Sequence, residues 1–135
     1  MMMNNIIIEC LLLFTTAYPK GTATVQCLTD ATDPTSLAPT GEQIKDGCQK
    51  PTTRTLYSTV DDMDEDACQG TRTYTYRYTA CDGSHKDWTY TYTIERTVHP
   101  AQEGTPVATS ATVECLDDAV VPTLPVVKDV CDNAL

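Results

Sequence analysis

Thr71-Arg72-Thr73-Tyr74-Thr75-Tyr76-Arg77-Tyr78-Thr79 and Trp88-Thr89-Tyr90-Thr91-Tyr92-Thr93-Ile94 are two runs of strict alternation separated by a short polar loop. Side chains alternate across a strand, so Arg72, Tyr74, Tyr76, Tyr78 and Ala80 share one face while the threonines and Arg77 share the other. In the second run Trp88, Tyr90, Tyr92 and Ile94 are matched against Thr89, Thr91 and Thr93 in the same way. Thr, Tyr and Trp all suit a pleated surface, and Asp82-Gly83-Ser84 supplies turn chemistry between the runs. The stretch Thr71 to Ile94 therefore predicts a β-hairpin with one aromatic face. Two strands alone are marginal in water, and that face needs an opposing layer, so the expected architecture is an all-β sandwich.

Working outward, the chain predicts further short strands and almost no helix. Thr22 to Leu28 reads as a first strand, Thr29 to Gly41 as a turn-rich connection with Pro34 and Pro39, and Gln43 to Asp46 as a weak second strand. Thr53 to Val60 reads as another strand, carrying Leu56 and Val60. Short strands separated by turns point to an immunoglobulin-like β-sandwich.

The sequence also repeats itself. Ala23-Thr24-Val25-Gln26-Cys27-Leu28-Thr29-Asp30-Ala31 matches Ala111-Thr112-Val113-Glu114-Cys115-Leu116-Asp117-Asp118-Ala119, and both copies run through a Pro-containing stretch to a second cysteine, Cys48 or Cys131. The second copy holds no counterpart of the aromatic hairpin. The expected organisation is an N-terminal segment over residues 1–21, a complete unit over 22–98, a linker over 99–110 and a partial second repeat over 111–135. Strands of that partial copy can also complete the sheet of another chain, which would build an extracellular filament.

Composition bounds the function. A net charge of −10 on 135 residues, with nine Lys and Arg, argues against nucleic acid or an anionic membrane surface as partner. Seven cysteines without a CxxC pair favour disulfides in an oxidising compartment over a cytosolic metal or redox site. Met1 to Phe14 is the one candidate targeting segment. Its apolar run from Ile6 is too short to span a bilayer, it lacks a basic start, and Glu9 interrupts it. It reads as a secretory signal or as an irregular chain end, and Cys10 within it is the odd cysteine.

Geometry narrows the cysteine pairing. Cys68 and Cys81 stand at opposite ends of one extended strand, far beyond the roughly 7 Å allowed between bonded Cα atoms. In a sandwich of this kind the loop after the second strand lies at the same end as the last hairpin loop, which brings Cys48 to Cys81 and leaves Cys27 for Cys68. Cys115 and Cys131 are left unpaired or for crosslinks between chains.

Several segments resemble the four-cysteine, hyalin-repeat-like (HYR-like) immunoglobulin-like domains of large secreted bacterial surface proteins. The resemblance rests on Ala23 to Ala31 with Cys27, on Lys45-Asp46-Gly47-Cys48, and on Ala67-Cys68-Gln69-Gly70 leading into Thr73 to Thr79. It continues through Cys81-Asp82-Gly83-Ser84 and Asp87-Trp88-Thr89-Tyr90-Thr91-Tyr92-Thr93-Ile94. It covers Thr22 to Val98 once and Ala111 to Leu135 again. The resemblance implies a tandem spacer or adhesive module without catalytic residues or cofactor, secreted or held at the cell surface, with neighbouring repeats as its first partners.

Other constellations yield weaker expectations. Asp61, Asp62, Asp64, Glu65 and Asp66 offer oxygen ligands for Ca²⁺ but lack the glycine and spacing of an EF-hand, so a solvated acidic turn is the plainer reading. Cys81 with His85, or Cys68 and Cys81 with His99, would serve a thiol nucleophile or a zinc site only if brought together, which the extended strand opposes. Tyr74, Tyr76, Tyr78, Trp88, Tyr90 and Tyr92 read as core with their hydroxyls at the rim. Were they exposed, they would form a stacking platform for a cell-surface or matrix polysaccharide and make the chain a carbohydrate-binding module. The dense threonines also suit O-glycosylation on an exported chain.

Overall fold

The computed structural model describes residues 20–65, 68–106 and 108–135; Met1 to Phe14, Cys10 and Asp66 of the expectations above lie outside them. Among the described residues the chain is all-β, with strands β1 (Gly21–Val25), β2 (Thr53–Met63), β3 (Gln69–Thr79), β4 (His85–Glu95), β5 (Ala101–Gln102) and β6 (Val127–Lys128). One sheet has the order β1-β4-β3-β2 and a second pairs β5 with β6. No helix among the described residues is long and apolar enough to cross a membrane.

The hairpin forms as its alternation dictates. β3 and β4 are antiparallel, with Tyr74 opposite Tyr90, Tyr76 opposite Trp88 and Thr73 opposite Thr91. The turn closes with Gly83 at φ 86°, a left-handed conformation that glycine adopts without a Cβ penalty, and the Asp82 carboxylate accepts the Ser84 N–H. On the aromatic face Tyr74 meets Tyr92 edge-on with centroids 6.2 Å apart, and Trp88 lies 5.9 Å from Tyr90. On the other face the Thr73 and Thr91 hydroxyls are hydrogen-bonded, and Arg77 pairs with Asp87 across the strands.

The layer over the aromatic face is the connection between β1 and β2, residues 26–52. Ala31, Ala38 and Ile44 from it pack with Tyr74, Tyr76, Tyr78, Trp88, Tyr92 and Ile94 into one core. An irregular segment laid on a sheet carries carbonyls without ladder partners, and each must find a donor. Tyrosine hydroxyls provide them: Tyr74 Oη donates to Ala31 O at 2.8 Å, and Tyr78 Oη donates to Pro39 O at 2.6 Å. Tyr76 Oη donates to the Asp33 carboxylate. Arg54 Nη1 reaches the carbonyls of Thr35, Ala38 and Pro39 while its guanidinium lies over the Tyr76 ring.

Two local expectations change. Gln43 to Asp46 is not a strand: the chain turns there, with one isolated bridge between Lys45 and Pro51. The cause is Asp46, whose buried carboxylate accepts the N–H groups of Cys48 and Lys50 and folds the segment back. The strand at Thr53 is longer than expected and contains a bulge between Leu56 and Ser58. Asp61 and Asp62 thus belong to β2, not to a loop.

The hydroxyl pairing has a measurable consequence. Tyr78→Phe keeps the ring and deletes one buried hydrogen bond, so it is expected to cost about 1–2 kcal/mol, whereas Tyr78→Ala opens a cavity and costs about 3–5 kcal/mol. Chemical denaturation of the two variants separates these values; a Tyr78→Phe variant as stable as the parent chain would mean that the hydroxyl is irrelevant. Gly41→Ala is expected to destabilise as well, because a methyl there would meet the Thr52 carbonyl of the backbone.

Candidate functional site

β1 runs parallel to β4, with Val25 opposite Ile94, and β3 lies on the far side of β4, with Gln69 opposite Glu95. Continuing both registers by two residues from Val25 and one from Gln69 sets Cys27 and Cys68 on either side of Arg96. They are two strand spacings apart, about 9–10 Å, which exceeds the roughly 7 Å reach of a disulfide. The expected Cys27 to Cys68 bridge therefore does not form. Cys27 is bonded instead to Cys131 of the second repeat, with Cα atoms 5.6 Å apart at a sequence separation of 104. Cys131, expected unpaired or crosslinked between chains, thus closes a bond within this one.

The linker brings that partner in. After β4, the Gln26 side chain holds the strand exit by accepting from the N–H groups of Thr97 and Val98 and donating to Thr97 Oγ1. β5 then pairs with β6 through Ala101 with Lys128 and Gln102 with Val127. This seats Lys128-Asp129-Val130-Cys131 at the end of the sheet, where Arg96 Nη1 binds Asp129 Oδ2 at 2.8 Å and approaches the Cys68 sulfur at 3.6 Å. Lys128 pairs with Glu103 and Asp132 at 3.0 Å each. Cys68, Arg96, His99 and Asp129 line one shallow cleft at this junction.

The docked turn is the same object as the turn in the first copy. Asp46 Oδ1 accepts from the Cys48 and Lys50 N–H groups, and Asp129 Oδ1 accepts from Cys131 and Asn133. Lys45 bridges Pro51 as Lys128 bridges Ala134, and Gln49 and Asp132 both take positive φ, 62° and 65°. The Lys-Asp-x-Cys spacing was visible in the sequence. Gln26, Arg96 and the receiving end of the sheet were not, because only the parallel register of β1 places them together.

The other expected residues fall as follows. Cys48 and Cys81 come to one end of the sheet, since Cys81 Sγ lies 4.0 Å from Asp46 Oδ2, but they are not bonded to each other: Cys48 is in a disulfide and Cys81 is a thiol. With its sulfur already bonded, Cys48 cannot take Cys81. Cys115 is an exposed thiol. The acidic residues diverge, with Asp61 bound to Arg72 and Asp64 accepting the Cys68 N–H, and among the described residues no group of three or more metal-ligating side chains assembles. The stacking platform is also withdrawn: Tyr74, Tyr76, Tyr78, Trp88 and Tyr92 are buried under the connection, and Tyr90 packs against the same core.

Asp129 is held ionised. Asn133, through its side-chain amide first and its backbone N–H next, pulls the carboxyl below the ordinary aspartate range, and the Cys131 N–H and Arg96 add to this against partial desolvation. A depressed folded-state pKa contributes stability that is present above the ordinary aspartate value, about 3.9, and is lost as the pH falls through the lower folded value. The Asp129 carboxyl should therefore titrate by NMR below about 3.9, and Asn133→Ala should move its midpoint upward; an unshifted midpoint in the parent chain would contradict the docked turn.

A model of the HYR-like domain with 4 cysteines matches residues 15–94 and 104–135. No curated protein and no solved structure matches. Both matched segments hold a Cys-bearing turn and a Lys-Asp-x-Cys turn, and the first holds the aromatic hairpin. The chain belongs to the family of HYR-like domains with four cysteines.

Proposed function

We propose that this chain is a non-enzymatic structural and adhesive repeat module of a secreted or cell-surface protein, in which consecutive HYR-like units are fastened covalently. HYR-like repeats are adhesion-type modules of extracellular proteins. The observation that carries the reading is the Cys27–Cys131 disulfide, which ties the strand exit of one repeat to the turn of the next across the linker. Such a bond persists in an oxidising compartment outside the cell. The acidic balance of the chain suits a solvated extracellular array, and neighbouring repeats are its first partners.

The role is mechanical. A pull on the two ends reaches Cys27 and Cys131 and passes through the bond, so the chain between them, at a sequence separation of 104, carries no load. At about 3.6 Å per extended residue, the bond hides roughly 370 Å of chain. Single-molecule stretching of the oxidised chain should lack that length, and reductant should restore it. Identical traces with and without reductant would sink the fastening. In bulk, Cys27→Ser/Cys131→Ser should lose about 4–5 kcal/mol on the chain-entropy scale for a loop of this size, read as a lower denaturation midpoint.

A further inference from the structure

The two copies of the Cys-bearing segment have one local structure and two opposite environments. Cys27 and Cys115 share φ −125° with ψ 148° and 151°. Asp30 N–H to Cys27 O, Ala31 N–H to Leu28 O and Thr32 N–H to Asp30 O recur as Asp118 to Cys115, Ala119 to Leu116 and Val120 to Asp118. In the first copy this segment lies on the sheet: Cys27 and Ala31 are buried, Leu28 packs on the core, Tyr74 Oη donates to Ala31 O and Arg72 reaches Leu28 O. In the second copy Val113, Leu116, Val120, Val121 and Leu124 face solvent, with Leu116 88% exposed. Ala111, Val113, Ala119 and Val120 line a shallow apolar concavity there. The segment is folded as if covered, yet nothing among the described residues covers it.

We propose that residues 111–124 are the docking surface for the tyrosine-faced β2–β4 sheet of a further HYR-like unit, and that Cys115 takes the cysteine of the Lys-Asp-x-Cys turn that follows that sheet. This rests on the proposed array function and names its partner. The chemistry of the occupant is set by the first copy. It presents an edge strand for Ala111 to Val113 to join in parallel, tyrosine hydroxyls for the Ala119 carbonyl, an arginine for the Leu116 carbonyl, and a turn cysteine beyond its linker. Bond formation oxidises two thiols. Cys115 and the turn cysteine give up two protons and two electrons to a small-molecule disulfide such as oxidised glutathione, which leaves as two thiols.

The test is a fusion that appends residues 53–135 of this chain directly after Leu135, so that the second copy is followed by its own sheet, linker and turn. It is refolded in a glutathione redox buffer beside the unextended chain. The expected result is a Cys115 disulfide to the appended copy's Cys131 by peptide mapping, with amide exchange across residues 111–124 slowed about a hundredfold or more. In the fusion carrying Cys115→Ser, that protection should persist without the bond. A fusion that keeps Cys27–Cys131 while Cys115 remains fully alkylatable and 111–124 exchange as in the unextended chain overturns the proposal and leaves the fastening intact. Concentration-dependent protection of 111–124 in the unextended chain, without the appended sheet, also overturns it, because the occupant would then be a second copy. Absence of Cys27–Cys131 from the unextended chain would instead overturn the array reading.

Discussion

Everything in this chain follows from the need to cover one aromatic sheet face with irregular backbone. Tyr74, Tyr76, Tyr78, Trp88, Tyr92 and Ile94 must leave water, and the layer laid over them is a connection rich in turns. Such a layer brings carbonyls that no ladder satisfies, and an unpaired buried carbonyl costs about 1–3 kcal/mol. Tyrosine answers both needs, with a ring that buries area and a hydroxyl that donates to Ala31, Asp33 or Pro39. Phenylalanine would supply only the first. The prolines of the connection fit the same logic, since Pro34 and Pro39 add no N–H that the layer would have to satisfy.

The second constraint is the direction of β1. Because it joins β4 in parallel, its exit lies beside the exit of β4, where the chain enters the linker. Cys27 is thereby aimed at whatever the linker delivers. Arg96 stands between Cys27 and Cys68 and binds Asp129, so the arriving turn is held by charge on one side and by sulfur on the other. An antiparallel β1 would have carried Cys27 to the opposite end, beside the Asp82-Gly83 turn, and no linker residue could have reached it.

Much of this was legible from residue order alone. Alternation gave the hairpin, both of its faces and the buried tyrosines, because period-two patterning answers directly to burial. The repeat was legible as well, and the local turns of the two copies agree bond for bond. The cysteine partners were not. Spacing along one strand excluded Cys68 with Cys81, but choosing among the remaining pairs required knowing that β1 and β3 flank β4, which is tertiary information. The turn at Gln43 to Asp46 was missed for a related reason: its apolar Ile44 reads as strand, while the deciding group is a single buried carboxylate whose N–H donors lie two and four residues ahead. The stacking platform was not formed because alternation sets the aromatic rings on one face without saying what covers it, and among the described residues Asp61 and Asp64 are turned to Arg72 and the Cys68 N–H.

The junction shows why the fastening is covalent. β5 and β6 contribute two paired positions, too few to hold an orientation in water. Lys128 with Glu103 and Asp132 is a solvent-facing set, and exposed ion pairs contribute about 0–1 kcal/mol each. Arg96 with Asp129 is better shielded, yet one charge-assisted contact leaves the turn free to pivot about it. The Gln26 side-chain clamp fixes the strand exit by holding Thr97 and Val98, and toward the arriving turn the residue offers only its backbone carbonyl, 3.6 Å from Cys131 Sγ. Noncovalent contacts at this site therefore align the turn without retaining it against load. The Cys27–Cys131 bond does retain it, and by joining the edge strand β1 to the incoming repeat it makes the least supported strand of the sheet the anchoring point. Peeling β1 away then requires moving the docked turn with it.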